Sequence, residues 1–145
     1  MRSRSARHLL LSAVLLLASA CSSPPEPPAN LLGPDAQQAA NRAMQTRSFD
    51  VKDRKMAMRG VIAALQDLGF IIERANEPLG LVTAARFAEP KWSDVVGVTV
   101  TVRPQAGGKM EIRANAIYNN QPISDPKVYQ NFFATLERSL FVGRN

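Results

Sequence analysis

Two neighbouring stretches with a period of two constrain this 145-residue chain more than anything else in it. Val96, Val98, Val100 and Val102 alternate with Gly97, Thr99, Thr101 and Arg103. After a turn over Pro104 to Gly108, Met110, Ile112, Ala114 and Ala116 alternate with Lys109, Glu111, Arg113 and Asn115. Successive side chains of a strand point to opposite faces, so each stretch is a strand with one dry and one wet side. The short turn makes them antiparallel neighbours. A sheet with one apolar face has to be covered, and the rest of the chain must supply the cover.

Two segments have the helical spacing to do so. From about Asp53 to Leu68, Met58, Val61, Ile62, Leu65 and Leu68 share a face while Lys52, Lys55 and Arg59 gather on another. Asp50 or Asp53 is placed to cap its start, and Gly69 supplies the left-handed residue that ends such helices. The second helix opens at Asp125-Pro126, an acceptor at the cap followed by a proline whose missing N–H costs nothing in the first turn. Tyr129, Phe132, Phe133, Leu136 and Leu140 then recur on one side. Ser48 to Val51, Phe70 to Ala75 and Leu79 to Phe87 read as further strands, the last two joined by a turn at Asn76-Glu77-Pro78. The expectation is an α+β two-layer sandwich in the order β-α-β-β-β-β-α, a four- to five-stranded antiparallel sheet with two helices on one face. Residues 48–145 suffice for one small domain of this kind. The element order resembles the helix-grip domains found in BamC, a lipoprotein of the outer-membrane β-barrel assembly machine.

The N-terminal end is different in kind. Arg2, Arg4 and Arg7 precede an apolar run from Leu9 to Ala18, the charged and hydrophobic regions of a secretory signal. That run is roughly half of the ~20 residues a spanning helix needs. Leu17-Ala18-Ser19-Ala20-Cys21 resembles the lipobox of bacterial lipoproteins. The resemblance implies a signal peptide over 1–20, cleavage between Ala20 and Cys21, and a covalent lipid on Cys21, including fatty acyl chains such as palmitate. Each buried methylene contributes about 0.8 kcal/mol, so several chains anchor a protein in practice permanently. Ser22 after the cysteine implies the periplasmic face of a Gram-negative outer membrane. The plainer alternative is an ordinary signal peptide with a cysteine after the cut.

Pro24, Pro25, Pro27 and Pro28 make residues 21–47 a proline-rich stalk, with alanines and glutamines that favour a helix over Asp35 to Met44. A spacer is the simple reading of the prolines; a ligand for a proline-binding groove is the other.

Cleavage also changes what chemistry is left. Losing Arg2, Arg4 and Arg7 leaves 15 basic against 12 acidic residues, nearly balanced, which predicts no nucleic-acid binding. The single histidine, His8, departs with the signal, and lipid consumes the single cysteine. The commonest general base, metal ligand and nucleophile are then gone. The acids are scattered, no serine sits in a glycine-bounded elbow, and Gly107-Gly108 is a hairpin turn that leads into no helix. No enzyme, no metal and no cofactor beyond the covalent lipid are expected. The aromatics are assigned to core positions.

A second resemblance lies in Gln66-Asp67-Leu68-Gly69-Phe70, Leu79-Gly80-Leu81-Val82, Asp125-Pro126, Tyr129-Gln130-Asn131-Phe132-Phe133 and Ser139-Leu140-Phe141. These are similar to a group of small proteobacterial lipoproteins of mostly hypothetical annotation, and they extend over most of the mature chain. The resemblance implies fold and location and brings no active site.

What remains is surface. Lys52, Lys55 and Arg59, joined by Arg54, form a basic face suited to anionic head groups, peptidoglycan carboxylates or an acidic partner, or simply to solvent. Thr99, Thr101, Arg103, Glu111, Arg113 and Asn115 share the sheet face away from the helices. Trp92, in a polar loop, is a candidate partner anchor. The functional expectation is a membrane-anchored, non-enzymatic adaptor for an envelope protein complex; the alternative is a carrier holding a lipid or other apolar ligand between the sheet and the closing helix.

Overall fold

The computed structural model describes residues 36–88 and 93–142. The described residues form one compact unit. Its elements are α1 (Ala36–Gln45), β1 (Thr46–Phe49), α2 (Arg54–Asp67), β2 (Ile71–Asn76), β3 (Leu81–Phe87), β4 (Val95–Gln105), β5 (Lys109–Tyr118), β6 (Gln121–Pro122) and α3 (Pro126–Val142). The strands form one antiparallel sheet in the order β1-β5-β4-β3-β2, with β6 added on β5. This is the expected α+β sandwich, and the sheet is open.

The alternation in β4 and β5 fixes which side is covered. Val98, Val100 and Val102 pair with Ala116, Ala114 and Ile112 across the two strands, and all six are buried. They pack with Val61, Leu65, Tyr129, Phe133, Leu136 and Leu140 from α2 and α3. Gly60 sits where the two helices approach: a Cβ there would run into the Leu140 side chain.

The helix ends follow their sequence signals. The Asp53 carboxylate accepts from the Lys55 N–H and caps α2. At the other end the Phe70 N–H reaches the Leu65 carbonyl and the Gly69 N–H reaches that of Gln66, with Gly69 at φ +80°. This is the Schellman arrangement, which satisfies carbonyls the helix leaves free. The Asp125 carboxylate accepts from the Lys127 N–H at 2.9 Å and starts α3.

Several features depart from expectation. β1 begins two residues earlier than Ser48, at Thr46, where it pairs with Arg113. The helix placed in the stalk segment is α1, and it packs against α3, β1 and β5. Strand β6 was not anticipated. It is made by Asn119 and Asn120, both at positive φ, between the paired Tyr118 and Gln121. Two consecutive left-handed residues are what a type I′ hairpin turn needs, and asparagine tolerates that conformation.

On the edge away from β4, β5 is left without a strand partner between β1 and β6, and one side chain fills the gap. The buried Tyr129 hydroxyl donates to the Ile123 carbonyl at 2.7 Å. It accepts from the Ala116 N–H at 3.4 Å and from Gln45 Nε2 at 3.2 Å. A hydroxyl has one donor and two acceptor sites, so all three are used. The buried Gln45 amide extends the network, donating to Asn115 Oδ1 and accepting from Arg113.

Candidate functional site

The uncovered face of the sheet is built from the residues that alternate with the core. It divides into an apolar and a polar end. At the apolar end the register aligns Ile71, Ala85, Gly97 and Ile117 across four strands, with Phe87 opposite Val95 in the next row. Ile71 is 69% exposed, Phe87 57%, Val95 39% and Ile117 36%. Gly97 is a low point in this surface, since a Cβ there would stand 3.2 Å from Ile117 Cγ1. The result is a shallow hollow of about 460 Å³ with Ala85, Gly97 and Ile117 in its lining and Glu73, Asn119 and Asn120 at its polar side. Water-exposed apolar residues scattered singly are ordinary, but a cluster on one face is the kind of surface that marks an interaction site.

A polar clasp borders this end. The Tyr118 hydroxyl donates to Asp94 Oδ2, Asn119 Nδ2 donates to Asp94 Oδ1 at 3.0 Å, and the Val95 N–H donates to Asn119 Oδ1 at 2.9 Å. The bonds from Tyr118 and Asn119 stabilise the ionised carboxylate and hold Asp94 below its ordinary value. The same carboxylate pushes Tyr118 up, because it favours the protonated phenol. The clasp ties the start of β4 to the β5–β6 turn and so fixes Val95 beside Phe87.

At the polar end, Thr99, Thr101 and Arg103 of β4 stand opposite Asn115, Arg113 and Glu111 of β5. They line a pocket of about 240 Å³. A further hollow of about 380 Å³ lies between β1 and the end of α3, lined by Arg47, Phe49, Glu137, Leu140 and Phe141 among others. Arg47 there stacks over the Phe133 ring at 4.9 Å.

The basic residues singled out in the sequence divide. Lys52, Lys55 and Arg59 are exposed, the last two one helical turn apart on α2. Lys52 runs beside the β4–β5 turn, where a Cβ on Gly108 would meet its Cγ at 3.7 Å. Arg54 does not join them. Its guanidinium donates to the Pro78 carbonyl at 3.0 Å, with Nε buried and unpartnered. Ala20, Cys21 and Trp92 lie outside the described residues.

The assignment of the aromatics to the core is corrected in part. Tyr129, Phe132 and Phe133 are buried, but Phe87, Phe141 and Tyr118 are exposed. Phe87 has the parity of Ala85, on the open face; Phe141 follows the buried Leu140 by one residue and turns away from the core. Among the described residues no group of three His, Cys, Asp or Glu side chains is placed to hold a metal. No helix among them is long and apolar enough to cross a membrane.

No protein-family model matches the chain, and no curated protein matches it in sequence. Among solved structures it is similar to the adenylate sensor from AMP-activated protein kinase, crystallised with 5-aminoimidazole-4-carboxamide 1-β-D-ribofuranotide. The identity is 11%, over 66% of this chain and 94% of that one, with a TM-score of 0.47. A likeness at that level carries no argument about what this protein does.

Proposed function

We propose that this protein is a lipid-anchored envelope adaptor, tethered through Cys21 at the periplasmic face of an outer membrane, whose α+β domain docks a protein partner on its open sheet face. The observation that carries the reading is the cluster of Ile71, Phe87, Val95 and Ile117 exposed in two adjacent rows of that face. The lipobox-like Leu17 to Cys21 and the prolines from Pro24 to Pro28 support the anchor and the spacer. The partner's contacting surface is apolar at its centre, since the cluster offers few hydrogen-bonding groups of its own. The domain has no catalytic part in this reading.

The carrier reading needs a chamber between sheet and closing helix. Tyr129, Phe133 and Leu136 fill that space against Val82, Val100 and Ile112, all six buried to 1% exposure or less. No observation favours it.

The test is proximity crosslinking in intact cells with three forms of the chain: native, Cys21→Ala, and Ile71→Asp/Phe87→Asp. The adaptor reading expects one envelope protein enriched with the native form and lost with both variants. Equal capture by the native and the aspartate form would remove the sheet face from the reading; equal capture by the Cys21→Ala form would remove the anchor.

A further inference from the structure

The polar pocket holds charges of both signs that the fold itself does not use. Arg103 and Glu111 stand directly opposite one another on β4 and β5. Opposed charges at such a position ordinarily gain by closing on each other. Yet neither side chain has an ion pair or hydrogen bond with any described residue. Arg113 gives one N–H to Gln45 at 3.4 Å, a long bond that leaves most of its five donors unengaged. Asn115 receives from the same amide through Oδ1, which leaves its own Nδ2 unused. Thr99 and Thr101 bring hydroxyls to the same surface.

A simple anion drawn to the two arginines meets the Glu111 carboxylate, and a simple cation drawn to Glu111 meets the arginines. A ligand that carries both charges on neighbouring atoms satisfies all three. We propose that this pocket binds an α-amino-carboxylate head, with the carboxylate on Arg103 and Arg113 and the ammonium on Glu111. Guanidinium groups suit planar carboxylates, and the fixed spacing of three rungs on two strands holds the donors and the acceptor apart. The pocket's 240 Å³ accommodates an amino acid with room beyond its head. The same head occurs on free amino acids and on a peptide branch where one carbon keeps both groups. This inference stands apart from partner docking at the apolar end, and each can fail alone.

The test is titration of the isotope-labelled full chain, in a non-ionic detergent, with alanine, N-acetylalanine, alaninamide and γ-glutamylglycine, read as amide shifts over residues 99–103 and 111–115. Alanine should saturate with a dissociation constant on the order of 1 mM. N-acetylalanine lacks the ammonium and alaninamide the carboxylate, so each should bind roughly tenfold weaker or worse. Glu111→Gln should weaken alanine and leave N-acetylalanine unchanged; Arg103→Gln should weaken both. Neither side chain makes a hydrogen bond or ion pair with a described residue, so an unchanged circular dichroism spectrum is expected of both variants. Tighter binding of γ-glutamylglycine than of alanine assigns the site to peptide-borne heads, and the opposite order to free amino acids. Equal binding of alanine and its N-acetyl form, or no saturation up to about 20 mM, overturns the proposal.

Discussion

Replacing Tyr129 by phenylalanine removes one oxygen and keeps the ring that fills the space between sheet and α3. Its cost therefore isolates the hydroxyl. Three bonds are lost: to Ile123 at 2.7 Å, from Gln45 at 3.2 Å and from Ala116 at 3.4 Å. The Gln45 amide keeps Asn115 as a partner, and the half-buried Ile123 lies nearer to water. The Ala116 N–H has neither remedy, because Ala116 is 3% exposed. A buried donor left unsatisfied costs about 1–3 kcal/mol, and an ordinary hydrogen bond contributes about 0.5–1.5 kcal/mol net. Taking the orphaned amide and the short Ile123 bond as the main losses gives about 2–3 kcal/mol. For a domain of this size that is a fall in Tm of roughly 10 °C. Urea unfolding of the full chain in a non-ionic detergent, followed by circular dichroism, reads the difference. Gln45→Ala alone should cost less, and the two substitutions together less than their sum, because they share the network. A loss below about 0.5 kcal/mol for Tyr129→Phe would falsify the claim that this hydroxyl completes the β5 edge.

Other outcomes follow from single features. Gly80→Ala should destabilise by about 2–4 kcal/mol in the same urea assay, since Gly80 sits at φ +62° and a Cβ would collide with the Val102 carbonyl oxygen. Gly60→Leu should loosen α2 against α3 and lower Tm, because Leu140 already occupies the space a side chain would need. Asp94 has its folded pKa lowered, so its clasp contributes stability above the ordinary carboxylate value that is lost as pH falls through the lowered one; Asp94→Asn should remove that part of the acid limb of a Tm-versus-pH curve. Tyr118 is raised above 10.0, so the protonated phenol's contribution is in place below that value and is lost as pH rises through the raised one; Tyr118→Phe should flatten the alkaline limb.

The core was legible where one element carried enough repeats to show its period. β4 and β5 announce their buried faces in a single pass, and Asp53, Gly69 and Asp125 mark helix ends through local chemistry that tertiary contacts did not override. β1 and β6 are too short for a period to appear. For β6 the usable signal was the adjacent pair Asn119-Asn120, which reads as a polar loop until the positive φ of both is recognised. The basic face was half legible: a helical wheel places Lys55 and Arg59 together, but only the tertiary fold reveals that Arg54 is drawn to Pro78. The apolar end of the open face was hidden for a different reason. Ile71, Phe87, Val95 and Ile117 come from four strands, one apiece; β3 adds Leu81 and Ala85 on its wet side, yet no strand shows the patch by itself. Register assembles them, and register is a property of the pairing. The polar pocket was visible as six side chains on one face, whereas the unpaired state of Arg103 and Glu111 belongs to the three-dimensional arrangement.

The direct junction of α1 with β1 has a mechanical meaning. Helix α1 ends at Gln45 and β1 starts at Thr46 with no residue between them. Tension drawn on the N-terminal segment therefore reaches the sheet without slack. Having passed through α1, it meets the sheet at four rungs, Thr46 to Phe49 against Arg113 to Met110, and at the Gln45 amide beside them. Beyond those rungs β1 is held by Arg47 over the Phe133 ring at 4.9 Å, by Phe49 against the same ring at 6.2 Å, and by the Ser48 hydroxyl, which donates to Gln105 Oε1 at 2.6 Å. A load on that segment therefore meets the sheet at its edge strand, before it reaches β5.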